Sequence, residues 1–251
     1  MGPRWGLLRA DSLTWTVVAL VVVWQVWVSL GRVDALVAPG PLAVARDLLA
    51  NPSLYASSIV KTSVIAFVGL LLGMTLGLVL AVLTSFSSVL GGLITPWVMV
   101  VRTVPVVVII PVIARLLGYG ESTLIGVTVL ISFFPAFVLI GSGLRDLPPG
   151  ANDLVTVLGA GRITRLVRLE LPAAVPNALV ALRLSAANCI LVAVLSQYLI
   201  GSDGLGFALA NARAYYLPAR EWGIAMVTTA LAVICFLNAS RLEHWGRERW
   251  Q

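Results

Sequence analysis

Side chains able to do chemistry are scarce in this 251-residue chain, and their placement limits what it can do. The single histidine, His244, stands beside Trp245 in the terminal stretch, a setting for a surface or interfacial role rather than for proton transfer or metal ligation. Cys189 and Cys235 both lie inside apolar runs. Neither has a second cysteine or a histidine at metal-ligand spacing, so both read as small packing residues. No Ser/His/Asp set, H-E-x-x-H or pair of carboxylates inside an apolar run occurs, which argues against an embedded enzyme. The only lysine, Lys61, follows Val60, so the chain does not hold ATP in a G-x-x-x-x-G-K-[ST] loop. Arg102 is the exception to this sparseness. It sits in a long apolar run between Pro96 and Pro111, and a cation at mid-membrane depth is costly unless it faces a cavity or a partner. It reads either as a pathway or gating group, or as a cation satisfied by nearby carbonyls or by a partner subunit.

The elements that must position such residues follow from composition. The chain is 59% hydrophobic and only 11% charged, with a mean hydropathy of +0.99. Soluble domains carry about 25% charged residues, so lipid is the natural solvent here. About 20 apolar residues cross the hydrocarbon core. Six runs meet that length: Leu13–Leu30, Ser58–Leu83, Leu93–Leu117, Ser122–Leu144, Ala174–Ile200 and Trp222–Asn238. The expectation is an all-α, polytopic membrane protein with six transmembrane helices forming a single domain over residues 1–251. The first run is long enough to be a retained helix rather than a cleaved signal.

Details within the runs refine this picture. Between the first two, Ala38-Pro39-Gly40-Pro41 leads into Leu42, Val44, Ala45, Leu48 and Leu49 at helical spacing, with Arg46 and Asp47 on the other face. This predicts a short amphipathic helix at the interface. Gly69, Gly73 and Gly77 recur every four residues and offer a face that another helix can approach closely. The third run holds Pro96, Pro105 and Pro111, whose freed carbonyls need partners, so it should face the bundle interior.

The formal charge is +6, and the arginines are scattered between apolar runs rather than gathered on an aromatic basic face. That pattern suits anionic lipid and topology rather than nucleic acid. With the N-terminus inside, the inner segments hold Arg4, Arg9, Arg145, Arg162, Arg165, Arg168, Arg241, Arg247 and Arg249. The outer ones hold Arg32, Arg46, Lys61, Arg115, Arg213 and Arg220. The bias places both termini and the polar loop 145–172 in the cytoplasm.

That loop reads Asp153-Leu154-Val155, three residues, Gly159, nine residues, then Leu169-Glu170-Leu171-Pro172. It resembles the E-A-A-x3-G-x9-I-x-L-P motif of ATP-binding-cassette importer permeases. Further likenesses run in the same order along nearly the whole chain. They are Pro39-Gly40-Pro41, Arg102-Thr103-Val104-Pro105 through Pro111 to Leu117-Gly118-Tyr119-Gly120-Glu121, Phe133-Phe134-Pro135, Gly143-Leu144-Arg145, and Ser202-Asp203-Gly204-Leu205-Gly206. They are similar to the nitrate, sulfonate and taurine branch of that family.

The resemblance implies a type I importer permease of the bacterial inner membrane. Its partners would be two ATP-binding-cassette ATPase subunits, a second permease subunit (a homodimer), an extracytoplasmic solute-binding protein and membrane lipid. The chain itself would bind no cofactor, since ATP and Mg would sit on the ATPase. It implies ATPase docking through a coupling loop holding Asp153, Val155, Leu158, Gly159, Arg162, Leu171 and Pro172. Pathway or gating residues would be Arg102, Pro105, Pro111 and Gln197. Leu139-Ile140 and Gln197 stand where the branch often has an Asn-Thr pair and a Glu. The less polar interior favours an organic solute with an apolar portion, such as a sulfonate or a heterocycle, over nitrate or bicarbonate. The alternative is a secondary transporter or channel working alone, which would need more ionisable residues inside the runs.

Overall fold

The computed structural model describes residues 8–31, 34, 37–147, 149–157, 159–201 and 203–250. Arg4, Arg32, Leu158 and Ser202, all used in the sequence reading, lie outside these. The helices are α1 (Leu8–Leu30), α2 (Pro41–Ala50), α3 (Pro52–Phe86), α4 (Ser88–Thr103), α5 (Val106–Leu117), α6 (Glu121–Arg145), α7 (Ala151–Val157), α8 (Arg162–Arg165), α9 (Leu171–Ile200), α10 (Leu205–Ala214) and α11 (Pro218–Trp250). Four stretches are long and apolar enough to cross a membrane: α3, α6, the continuous run Arg162–Ile200 and α11. Within the 23-residue α1, the apolar stretch whose side chains are described is Val18–Leu30.

The third expected span is not one straight helix. It breaks at Val104–Pro105, and α4 and α5 diverge by 110°. Pro105 has no N–H to continue the ladder, and its ring pushes the residue before it out of the helical region. Val104 accordingly adopts an extended backbone, φ −77° and ψ 126°. The 12 residues of α5 reach only about 18 Å, too short to cross alone. Nor is this pair enclosed by the bundle, as expected from its prolines. Val100, Val107, Val108 and Val112 are each more than half exposed, because α4 and α5 lie along one side of the chain.

The bundle is centred on α3, α6 and α9, with α11 against α9. The glycine stripe supplies the closest approach. A Cβ at Gly69 would lie 2.5 Å from Thr128 Cβ, and one at Gly77 2.5 Å from Ala136 Cβ. A Cβ at Gly73 would meet the Ser132 hydroxyl and stand 2.6 Å from the Val129 carbonyl. The space is used: Ser132 Oγ donates to the Gly69 carbonyl at 3.0 Å.

The loop 145–172 is less of a loop than its polarity suggests. Helix resumes at Arg162 and passes through a π-turn, Leu166–Glu170, into α9. Pro172 and Pro176 each withhold an N–H from that ladder, and a wider turn absorbs the mismatch.

At the end of the bundle away from α7, α2 is clamped to α3 and α11. Asp47 accepts hydrogen bonds from Arg220 Nη2 at 3.0 Å, Tyr55 Oη at 2.7 Å and Asn51 Nδ2 at 3.1 Å. Burial alone would raise the Asp47 carboxyl, but the bonds from Arg220 and Tyr55 and the Arg220 charge outweigh it and hold the carboxyl below its ordinary value. A depressed folded-state pKa means the stabilisation is present above the unfolded value and is lost as pH falls through the folded one. The thermal midpoint in detergent should therefore drop as pH falls below about 4. Asp47→Asn should remove that part of the acid dependence, read from melting curves between pH 3 and 7.

Candidate functional site

At the α4–α5 break the Arg102 guanidinium lies over the Phe134 ring, 4.4 Å from its centroid. Beside it is a cavity of about 250 Å³, lined by Val98, Arg102, Val104, Ile109, Phe133, Phe134 and Asn188 among others. Phe134 stands 11 residues from one end of α6 and 13 from the other, so the cavity is roughly 17–20 Å from either end of that helix. Pro105 forms the break itself. Pro111 falls within α5, two residues after the cavity-lining Ile109 and so on nearly the opposite face of the helix, where it is exposed.

Gln197 is placed differently from the expectation. Its side chain is fully buried. Its Oε1 accepts from Thr62 Oγ1 at 2.8 Å and from the Gly206 N–H at 3.2 Å, while Thr62 Oγ1 accepts from the Leu205 N–H at 2.9 Å. The amide ties α3, α9 and the start of α10 together and reaches no cavity. Ile140 is likewise 2% exposed inside the core. These branch departures therefore do not set the polarity of the mid-depth cavity. Arg102 and Asn188 do.

The proposed docking residues divide in two. Asp153, Gly159 and Arg162 are exposed, and Val155 is half-buried. Gly159 has φ +67°, the left-handed turn between α7 and α8 that favours a residue without Cβ. Arg162 Nη2 donates to the Ser85 carbonyl at 2.8 Å, and its guanidinium lies 5.0 Å from the Phe86 ring centroid. It thus fixes the corner to the end of α3. Around it a polar cavity of about 510 Å³ is lined by Ser85, Val155, Gly159, Arg165 and Glu170 among others. Leu171 and Pro172 instead belong to the spanning helix, where Leu171 packs on the core. They anchor the corner rather than face outward.

Three features escape a reading of the sequence. Glu243, 2% exposed, lies between Arg183 at 3.0 Å and Arg247 at 2.7 Å. Lys61 pairs with Asp203 at the far end. There a cavity of about 420 Å³ opens, lined by Lys61, Asp203, Phe207, Asn211, Tyr215 and Arg220 among others. Only Arg247–Glu243 could have been inferred, from its i,i+4 spacing.

Comparison with known proteins agrees with this geometry. Residues 73–242 match the family described as binding-protein-dependent transport system inner membrane component. The chain is 28% identical over 225 residues to a Haemophilus influenzae protein named "Probable ABC transporter permease protein", covering 90% of this chain and 92% of that one. It is 26% identical over 246 residues to the taurine transport system permease protein TauC of Escherichia coli K12, covering 93% and 87%. Among solved structures, the MetNI methionine ABC transporter in an inward-facing conformation superposes with a TM-score of 0.69 at 17% identity. That alignment covers 78% of this chain and 98% of that one, and it supports the fold alone. An all-helical bundle with a broken span, an exposed helical corner and a family match over more than half its length places this chain in the binding-protein-dependent inner-membrane component family, the permease subunits of ABC importers.

Proposed function

We propose that this permease works as one of two identical subunits and carries a small organic anion, sulfonate-like in chemistry, through the membrane. Its ATPase partners, which hold ATP and Mg, dock on the α7–Gly159 corner from the cytoplasm. An extracytoplasmic binding protein delivers solute to the opposite end, where α2, α10 and the 420 Å³ cavity lie. Both termini are then cytoplasmic, as the arginine bias indicates. The likeness to a taurine permease supports the substrate class, since taurine is an amino sulfonate.

The observation that carries the coupling assignment is the corner itself. A short exposed helix ends at a left-handed glycine and is fastened through Arg162 to α3, so a push on α7 reaches the bundle. A side chain at a left-handed position costs roughly 1–2 kcal/mol. In Gly159→Leu the corner should shift, and ATP-driven uptake into vesicles holding the whole importer should fall about tenfold or more while ATPase activity and the permease melting point persist. Gly161→Ala, at φ −66°, should be neutral. Normal uptake by Gly159→Leu would remove the docking assignment.

A further inference from the structure

Arg102 falls in a motif this chain shares with its family, yet nothing among the described residues balances its charge. Several cations elsewhere in the bundle have carboxylate partners: Lys61 has Asp203, Arg183 and Arg247 share Glu243, and Arg220 has Asp47. Among the described residues Arg102 has no ion pair and no hydrogen bond, only the face of Phe134. An arginine at this depth is tolerated when it faces water or a counter-charge. The 250 Å³ cavity supplies the space, and its lining supplies no carboxylate.

We propose that this cavity is an anion subsite in which Arg102 binds the charged group of the transported solute. The guanidinium presents its N–H fork to a sulfonate, phosphonate or carboxylate. Phe133, Val98 and Ile109 receive an apolar body of a few carbons. Asn188 donates one N–H to the Leu184 carbonyl at 2.9 Å, which leaves its second N–H and its carbonyl for a polar substituent. The positive end of α5 begins at Val106 in the same lining and adds to the attraction. The volume lies below the roughly 300–1,000 Å³ of sites for drug-sized ligands, so the solute is small. The depth keeps lipid headgroups out of reach. The phenylalanine face gives Arg102 a resting place without anion, so the site is not left with a bare charge between cycles. The inference rests on the importer reading of the chain, and it adds where the solute binds and which residue meets its charge.

The test uses vesicles holding the complete importer, with Cys189→Ala and Cys235→Ala as background and Val104→Cys as reporter in the cavity. A negatively charged sulfonatoethyl thiosulfonate should modify the reporter roughly tenfold faster than a positively charged trimethylammonium reagent. Arg102→Gln should abolish that preference, and Arg102→Lys should keep most of it. Butanesulfonate should slow modification, whereas neutral butanesulfonamide should not, and protection should vanish in Arg102→Gln. A preference that survives Arg102→Gln, or equal protection by both compounds, overturns the subsite. ATP-driven uptake in the same vesicles is scored separately, so its absence with protection intact overturns the importer reading and not the subsite.

Discussion

Gly73→Leu should leave almost no folded protein in the membrane. The new Cβ would run into the Ser132 hydroxyl and stand 2.6 Å from the Val129 carbonyl, and backbone cannot swing aside as a flexible side chain can. Overpacking a close interface costs about 1–3 kcal/mol when neighbours can adjust. Here three successive turns of α3 are in register with α6, so relief at Gly73 would pull Gly69 and Gly77 out of contact as well. The Ser132–Gly69 hydrogen bond would go with them. The expected loss is at least the upper end of that range, read as fluorescence-detected size exclusion and melting in detergent. Gly92→Ala is the control, because nothing lies within 4 Å of a Cβ there. A monodisperse Gly73→Leu variant with an unchanged melting point would show that α3 and α6 do not pack as described.

Glu243→Ala should be nearly as damaging, for an electrostatic reason. Glu243 is the one carboxylate between Arg183 on α9 and Arg247 on α11, and it is almost wholly out of solvent. Removing one member of a buried ion pair leaves the other charges uncompensated, at a cost of about 3–5 kcal/mol. Arg183 and Arg247 are partly exposed, side chains 30% and 45%, so solvent screening should bring the loss toward the lower end. Glu243→Gln keeps the shape and removes the charge, and should recover only part of the melting point. Arg183→Leu combined with Glu243→Leu should recover more than either single change, because no charge on α9 is then stranded. If Glu243→Ala melts as the parent does, the triad carries no stability and α11 is held by apolar packing alone.

The sequence made some of this legible because the information was local. Glycines four residues apart mark a close-approach face wherever the partner lies, and α6 fills that role. Prolines at 96, 105 and 111 mark trouble for a helix, but the 110° turn belongs to one of them. Only Pro105 follows a residue in extended backbone, while Pro96 and Pro111 are absorbed within α4 and α5. Gln197 shows the opposite case. The family resemblance suggested a pathway role for it, yet its partner Thr62 is 135 positions away and turns the amide into a tether. Nothing local marks Glu243 as the centre of an ion triad, because Arg183 stands far upstream on another helix. Ile140 shows a related limit: it faces the core, and side-chain type does not reveal which way a helix is rotated.

The unbroken run Arg162–Ile200 has a mechanical side. Its 39 residues make a rod roughly 58 Å long, with the α7 corner at one end and the Gln197 knot at the other. Leverage along such a rod converts small rotations into large displacements: a tilt of about 5° about one end moves the other by roughly 5 Å. The π-turn at Leu166–Glu170 is the compliant point of the rod, so bending there would spare the bundle while stiffness beyond it would transmit torque. A modest displacement of the α7 corner would thus be geared up to a much larger one at the far face.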